Sequence, residues 1–327
     1  MLGEESFDLE DARPGPVLEP GLAEVVFDLV KAAFTHGSKY RHVRRTTPWA
    51  ERLICGSESP STLVCSLAGF LLINPRSGKG SPSAEELAAE AERLGVAAHL
   101  LREGEDLAEL ARSADDVALG MAGGDGSLAA VAEIALERDL PFVCVPFGTR
   151  NHFARDLGLD RGNPIAALRA FGGQERRIDV GRAGGQLFLN NVSLGVYARL
   201  VHRRESHRRR RNAFARVRAW AILVTHRHPL GITVDGQLLE SRLVLVANNA
   251  YELELPSLGS RERLDEGKLY LYSPGADPAE RSGATFSIDA AEHSLEAAID
   301  GEPEVLQTPI EFTIEPGALR VLVPPGG

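Results

Sequence analysis

The chain has 327 residues, enough for about two domains of roughly 150 residues each. Its 43% hydrophobic and 25% charged residues are typical of a globular protein and exclude a wholly disordered or fibrous one. Its 46 acidic and 36 basic residues give a net charge of −10, so the surface as a whole cannot bind nucleic acid as a polycation would.

Residues 1–66 are predicted to form an N-terminal extension. They begin with an acidic, proline-containing tail that lacks the basic and apolar regions of a secretory signal. The apolar spacing of residues 22–33 then predicts an amphipathic helix. The polar face of that helix is not a basic stripe, which favours packing on the main body or on a partner subunit over membrane docking and leaves a homodimer open.

The cysteines indicate a reducing compartment. Cys55, Cys65 and Cys144 cannot all pair within one chain and show no CxxC spacing, so neither a disulfide framework nor a zinc site is indicated. The longest nearly unbroken apolar stretch, residues 67–73, is far shorter than the roughly 20 residues that a membrane-spanning helix needs. We therefore expect a cytoplasmic protein.

Strands and helices alternate in residues 67–178, which we interpret as an α/β nucleotide-binding domain of three layers. Such alternation predicts a parallel sheet with helices on both faces. Residues 179–327 instead show short alternating strands and glycine turns, which predict a β-rich, sandwich-like second domain. An arginine-rich segment at 199–227 interrupts it and is predicted to be helical, either as a solvated face or as a contact for anionic lipid headgroups.

The sequence AGGDGS at residues 122–127 indicates a phosphate-binding loop. Its glycines allow the backbone to approach phosphates, and the helix predicted from Ser127 would direct its N-terminal N–H groups to the same place. Asp125 would repel phosphate unless Mg²⁺ lies between them. The structural alternative is a glycine turn in which Asp125 caps the helix.

Two further loops follow predicted strands and should meet the first at one edge of the sheet. They are NPRSGKG at residues 74–80 and PFGTRNHFAR at residues 146–155, and both supply amide and hydroxyl groups. Neither has the spacing of a Walker sequence, which argues against a P-loop NTPase. Convergence of three such loops favours nucleotide binding over isolated turns.

The ordered motifs NPRSG, GGDGS, PFGTRNHFARDLGL, NNVSLGVYA, RLDEGKLYLY and DGE resemble the diacylglycerol kinase catalytic family of lipid kinases over residues 67–327. The resemblance implies two domains with the active site in the cleft between them and a final segment that returns to the first domain. It also implies ATP and Mg²⁺ as cofactors, with Glu302 as general base and Asp125 as the second catalytic residue. Asp125 and Asp265 are the expected metal ligands. The expected nucleotide-binding residues are Asn74, Ser77, Gly78, Gly123, Gly124, Asp125, Gly126, Ser127, Gly148, Thr149 and Asn151.

This chain departs from the family pattern at several positions. Ser127 replaces a threonine and keeps the hydroxyl, whereas His152 stands where the family has an aspartate. A threonine that many members carry after the second strand is replaced within residues 100–102. The glycine-rich stretch that usually follows Asn249 here reads YELELPSLGSRER.

We expect a kinase that transfers the γ-phosphoryl group of ATP to a hydroxyl of diacylglycerol or a related lipid, as in phospholipid biosynthesis. Its partners would be the lipid substrate and, transiently, the inner membrane face, with no nucleic acid, and an apolar groove for the lipid would lie between the domains. The alternatives are an NAD kinase, because GGDG loops occur there too, and a non-catalytic nucleotide-binding protein that senses anionic membranes through its arginines.

Overall fold

The computed structural model describes most of the chain beyond residue 68. The described residues are 69–77, 81–114, 118–195, 230–241, 243–252, 259–273 and 276–325. The predicted N-terminal extension, including its amphipathic helix, and the arginine-rich segment at 199–227 therefore lie outside the described residues.

A parallel sheet forms the first half of the molecule. Its strands are β1 (Gly69–Ile73), β2 (Ala97–Leu100), β3 (Ala118–Gly123) and β4 (Phe142–Pro146), and their order is β2-β1-β3-β4 with every pair parallel. Strands β3 and β4 are buried along their whole length, as expected of strands that are covered on both faces. The predicted α/β arrangement of this half is confirmed.

Helices cover both faces of this sheet. They are α1 (Ala84–Arg93), α2 (Leu107–Ser113), α3 (Asp125–Glu137), α4 (His152–Asp156), α5 (Pro164–Ala167) and a 3₁₀ helix (Leu168–Gly172). Leu87 of α1 joins the hydrophobic cluster on one face, whereas Leu128 of α3 joins the cluster on the other. Within the described part of the chain, no helix has the length and apolar character needed to cross a bilayer.

The second half is built from antiparallel strands. One sheet has the order β12-β11-β10-β7-β14-β15, while β5, β6, β8, β9, β13 and β16 extend the first sheet. These strands are β5 (Gln174–Ala183), β6 (Gln186–Phe188), β7 (Asn191–Gly195), β8 (Ile232–Val234), β9 (Gln237–Leu239), β10 (Leu243–Asn248), β11 (Leu269–Tyr272), β12 (Glu280–Gly283), β13 (Thr285–Ala290), β14 (Ser294–Ile299), β15 (Glu302–Gln307) and β16 (Ile310–Val323). The parallel and β-rich halves together confirm the predicted fold class.

The long strand β16 connects the two halves. It pairs antiparallel with β5 and β13, and its end pairs parallel with β4 through Val321 and Leu322. A single strand therefore contributes to the core of both halves. This continuity positions the β14–β15 turn against the parallel half of the first sheet.

Candidate functional site

Three loops meet where the parallel strands end. The backbone N–H of Asn74, just after β1, donates to the Ala122 carbonyl of β3 at 2.9 Å. A β-carbon built on Gly148, after β4, would lie 2.8 Å from Cα of Gly124. Parallel strands end at one edge of their sheet, and here that edge brings the loops after β1, β3 and β4 into contact.

The GGDGS loop leads directly into helix α3, which begins at Asp125, two residues before the predicted start. Gly124 is the N-cap residue, so the structural alternative in which Asp125 caps the helix is wrong. An Oδ1 atom of Asp125 instead accepts a hydrogen bond of 3.3 Å from the backbone N–H of Phe153. The first-turn N–H groups of α3 and its positive dipole end therefore face the junction of the loops, as an anion-binding site requires.

Two glycines of this loop have different surroundings. A β-carbon on Gly126 would lie 2.5 Å from Cγ and 3.1 Å from Oε1 of Glu302, so Gly126 allows that side chain to approach the helix. A β-carbon on Gly124 would meet nothing within 4 Å, and the φ of −84° there suits any residue. The fold itself therefore does not require a glycine at 124, whereas a side chain at 126 would displace that of Glu302.

The loop after β4 is held from within by Asn151. This residue has a left-handed backbone with φ of 52°, and its side chain is almost completely buried. Its Oδ1 accepts from the Gly148 N–H at 2.8 Å, and its Nδ2 donates to the Gly148 carbonyl at 3.0 Å. The amide that we expected to contact nucleotide thus braces its own loop, whereas Thr149 is exposed beside it.

The loop after β1 forms a compact turn. The Ser77 N–H donates to the Asn74 carbonyl at 3.1 Å, and Oδ1 of Asn74 accepts from the Arg76 N–H, also at 3.1 Å. Both Asn74 and Ser77 are partly exposed at the edge of the sheet. The third expected contact of this loop, Gly78, lies outside the described residues.

The DGE motif forms the turn between β14 and β15. Asp300 Oδ1 accepts from the N–H groups of Asn190 and Asn191 at 2.7 and 3.1 Å, and its Oδ2 accepts from the Leu189 N–H at 2.8 Å. Burial raises the pKa of Asp300 to about 6. The negative charge of Asp125 adds to this rise, whereas the three backbone hydrogen bonds oppose it. Asp300 thus fixes the turn, while Glu302 remains exposed.

His152 occupies the first position of α4, next to Asp125. Burial lowers the pKa of His152, the charge of Asp125 opposes that shift, and the positive charges of Arg155 and Arg150 add to it. A neutral imidazole therefore stands where the family pattern has a carboxylate. It cannot supply the negative charge of that acid to a metal or an ammonium group.

Asp265 forms an ion pair at the surface of the β-rich half. Its Oδ1 accepts from Nε of Arg263 at 3.0 Å, and both side chains are more than half exposed. Within the described residues, no group of three His, Cys, Asp or Glu side chains could hold a metal ion. The Mg²⁺ expected at Asp265 stays a prediction.

A buried ionic network behind the site was not predicted. Arg261 is fully buried, and its Nε donates to Asp156 of α4 at 2.8 Å. Its Nη1 donates to the carbonyls of Leu189 and Asn248 at 2.6 and 2.9 Å, and its Nη2 donates to Oδ1 of Asn190 at 2.8 Å. The network joins α4 to the backbone that holds Asp300. Its members are far apart in the chain, so local sequence patterns could not predict their contacts.

A cleft of about 600 Å³ opens beside the first turn of α3. Helices α2 and α3 form one wall, and β6 with the β14–β15 turn forms the other. Gly126 and Ser127 lie at the end of the cleft near Glu302, and apolar side chains line much of the remainder. The cleft thus runs between the parallel half and the β-rich half, directly from the glycine loop.

Comparisons with known proteins agree on one family. Residues 68–183 match the model of the diacylglycerol kinase catalytic domain. A probable YegS-like lipid kinase of Pseudomonas fluorescens is 41% identical over 91 residues, 27% of this chain and 30% of that protein. A probable YegS-like lipid kinase of Chromohalobacter salexigens is 31% identical over 143 residues, 41% of this chain and 45% of that protein. The matched stretches therefore span less than half of these relatives.

Solved structures extend the likeness to the whole fold. A crystal structure of a diacylglycerol kinase from Bacillus anthracis superposes with a TM-score of 0.59 at 21% identity, over 79% of this chain and 97% of that one. At this identity the superposition shows a shared fold alone. Residues 68–183 of this chain are therefore similar to the catalytic domain of diacylglycerol kinases.

Proposed function

We propose that this protein transfers the γ-phosphoryl group of ATP to a hydroxyl of a lipid, with diacylglycerol as the expected acceptor. One observation carries the proposal: Glu302 of the β-rich half lies against Gly126, in the first turn of the helix that follows the glycine loop. A carboxylate and a phosphate-binding loop thus share one cleft. A Bacillus subtilis diacylglycerol kinase, 36% identical over 84 residues, supports this acceptor class.

The phosphates of ATP would bind the N-terminal N–H groups of α3 and the exposed hydroxyl of Thr149. The nucleoside would occupy the adjoining cleft, whose volume is in the range of small-molecule sites. Its lining includes Arg112, Glu133 and Glu304, and desolvating such charged groups against acyl chains would be costly. We therefore assign this cleft to the nucleotide rather than to the lipid.

Asp125 fits a Mg²⁺ ion that is shared with the phosphates. It is a partly exposed carboxylate at the expected position of the triphosphate, and Mg²⁺ is usually bound by one or two carboxylates together with substrate phosphates. When bound, the ion would neutralise charge that develops on the phosphate oxygens. The scarcity of further carboxylate ligands in the described part of the site is compatible with this arrangement.

Glu302 would accept the proton of the lipid hydroxyl. The hydroxyl oxygen forms a bond to the γ-phosphorus as the bond from that phosphorus to the β,γ-bridging oxygen breaks, and ADP leaves with the electron pair. Because Glu302 is exposed, an acceptor can reach its carboxylate. Such a general base contributes about 10²–10⁴-fold to a rate.

The direct test uses γ-labelled ATP with dispersed diacylglycerol, with NAD in a parallel reaction. We expect label in the lipid and none in the dinucleotide. Asp125→Ala should abolish transfer, whereas Glu137→Ala, at the other end of the same helix, should leave it unchanged. Label in NAD alone would support the NAD kinase alternative, and an active Asp125→Ala variant would overturn the assignment of the loop.

Glu302→Gln separates catalysis from nucleotide binding. Transfer should fall about 10²–10⁴-fold, because a base is lost, while the dissociation constant for ATP measured by calorimetry should hardly change. Glu292→Gln, on an exposed loop of the same half, is the matched control. Equal loss of transfer and ATP binding would make Glu302 a structural residue.

A further inference from the structure

Arg150 extends from the loop after β4 towards the DGE turn. Its Nη1 lies 3.4 Å from the position that a β-carbon on Gly301 would occupy. The backbone on either side of Arg150 is anchored, because Asn151 clamps the loop to Gly148 and Gly148 lies against Gly124. The guanidinium therefore extends from an anchored loop beside the glycine loop to the DGE turn of the other half.

Arg150 differs from its neighbours in how its charge is used. Its neighbours Arg155 and Arg261 both form ion pairs with Asp156 at 2.8 Å. Among the described residues, by contrast, the Arg150 guanidinium forms neither an ion pair nor a hydrogen bond, and only the Arg150 carbonyl is engaged, by Nη1 of Arg161 at 3.3 Å. A partly buried cation without a partner beside an anion-binding loop is available to a ligand.

Carboxylates near the glycine loop increase the need for positive charge. Glu302 lies against Gly126, one residue after Asp125, and the DGE turn that carries Glu302 is the turn that Arg150 approaches. A transferring phosphoryl group would bring further negative charge onto its three non-bridging oxygens.

We propose that Arg150 is a catalytic residue that binds the transferring phosphoryl group. Its guanidinium donates hydrogen bonds to the non-bridging oxygens of the γ-phosphoryl group as the bond to the acceptor oxygen forms and the bond to ADP breaks. Arg150 gains and loses no proton in this step, and Glu302 takes the proton of the acceptor. The inference rests on the proposed kinase function and adds a residue to it.

The first experiment needs no lipid acceptor. ADP with Mg²⁺ and aluminium fluoride mimics a transferring phosphoryl group, and calorimetry measures how much the fluoride tightens ADP binding. We expect Arg150→Gln to reduce this tightening tenfold or more while ADP alone binds as in the wild type. Arg150→Lys, which keeps the charge without the planar fork, should retain part of it. Arg169→Gln, at an exposed position of the 3₁₀ helix, should behave as the wild type.

Kinetics with γ-labelled ATP and diacylglycerol give the second measurement. In Arg150→Gln, kcat should fall about 10²-fold, with KM for ATP within threefold of the wild type, because the contact forms during transfer. Unchanged kcat and unchanged fluoride-dependent binding in a folded Arg150→Gln variant would overturn the role of Arg150 while Asp125→Ala still abolishes activity. A wild type that labels neither lipid nor NAD would instead overturn the proposed kinase function.

Discussion

The two sides of the candidate site are built in different ways. The loops of the parallel half present backbone N–H groups and glycines, and most of their internal hydrogen bonds join residues two to four positions apart. The DGE turn is held from afar, because Asp300 accepts three hydrogen bonds from residues 189–191, about 110 positions earlier in the chain. Short-range contacts shape one side, and long-range contacts position the other.

This difference explains where each side is sensitive. A loop whose backbone binds phosphate tolerates changes that leave its N–H groups accessible, whereas a turn positioned by a buried network depends on residues that never touch a ligand. Arg261 and Asp156 belong to that second class, since they hold the backbone to which Asp300 is attached. Substitutions on each side should therefore change different measured quantities.

The largest expected effect comes from the network behind the turn. Arg261→Met removes the guanidinium donors to the carbonyls of Leu189 and Asn248, of which Leu189 keeps only the Asn248 amide, and it removes a buried ion pair, so the free energy of unfolding should fall by about 3 kcal/mol. Arg263→Met removes only an exposed pair with Asp265 and should cost less than about 1 kcal/mol.

Urea unfolding of both variants gives these free energies. A second expectation is that Arg261→Met lowers kcat more than it weakens ATP binding, because the DGE turn loses its support and the glycine loop does not. Equal stability of the two arginine variants would show that the buried network does not distinguish the turn from the loops.

Asp300→Asn should have an intermediate effect on stability. The amide would turn an N–H towards the Leu189 N–H, which leaves a donor without an acceptor and costs about 1–3 kcal/mol. The pKa of Asp300 is raised to about 6 in the folded protein, so the folded state binds this proton more tightly than the unfolded state does. The resulting stabilisation is complete below the unfolded pKa of about 4 and is lost as pH rises through 6.

The pH dependence of the difference in stability tests this reasoning. Wild-type stability should lose the Asp300 contribution between about pH 4 and pH 6, and the asparagine variant should lack that component. The cost of Asp300→Asn should thus be larger at pH 4.5 than at pH 7.5, as measured by Tm in matched buffers. A cost that grows with pH would mean that the carboxylate is stabilised in its charged form.

The smallest effect on the fold, and a distinct one on binding, is expected at Gly124. A serine there meets no atom of the protein within 4 Å of its β-carbon and is a favourable N-cap, so Tm should hardly change. The same β-carbon would stand where phosphate approaches the backbone and should weaken ATP binding about tenfold, or about 1.4 kcal/mol. Unchanged ATP affinity in Gly124→Ser would move the phosphates away from this glycine.

Much of the parallel half could be predicted from local pattern. The helix predicted from Ser127 is found at Asp125–Glu137, because apolar periodicity and glycine loops are short-range signals. The earlier helix start is what local pattern missed: Gly124, not a side chain, caps the helix. The metal expected at Asp265 rests on motif likeness alone and stays a prediction, while the fold shows this carboxylate in contact with Arg263.

The amino-acid sequence by itself determined the alternation of strands and helices, the three loops after β1, β3 and β4, and the residue types at the phosphate edge, because these depend on neighbours within a few positions. Only the tertiary structure decided that Glu302 meets Gly126, that Arg150 reaches Gly301, and that Asn151 braces its own loop. The first two contacts join residues more than 100 positions apart, and the pairing of β16 with both halves brings those positions together.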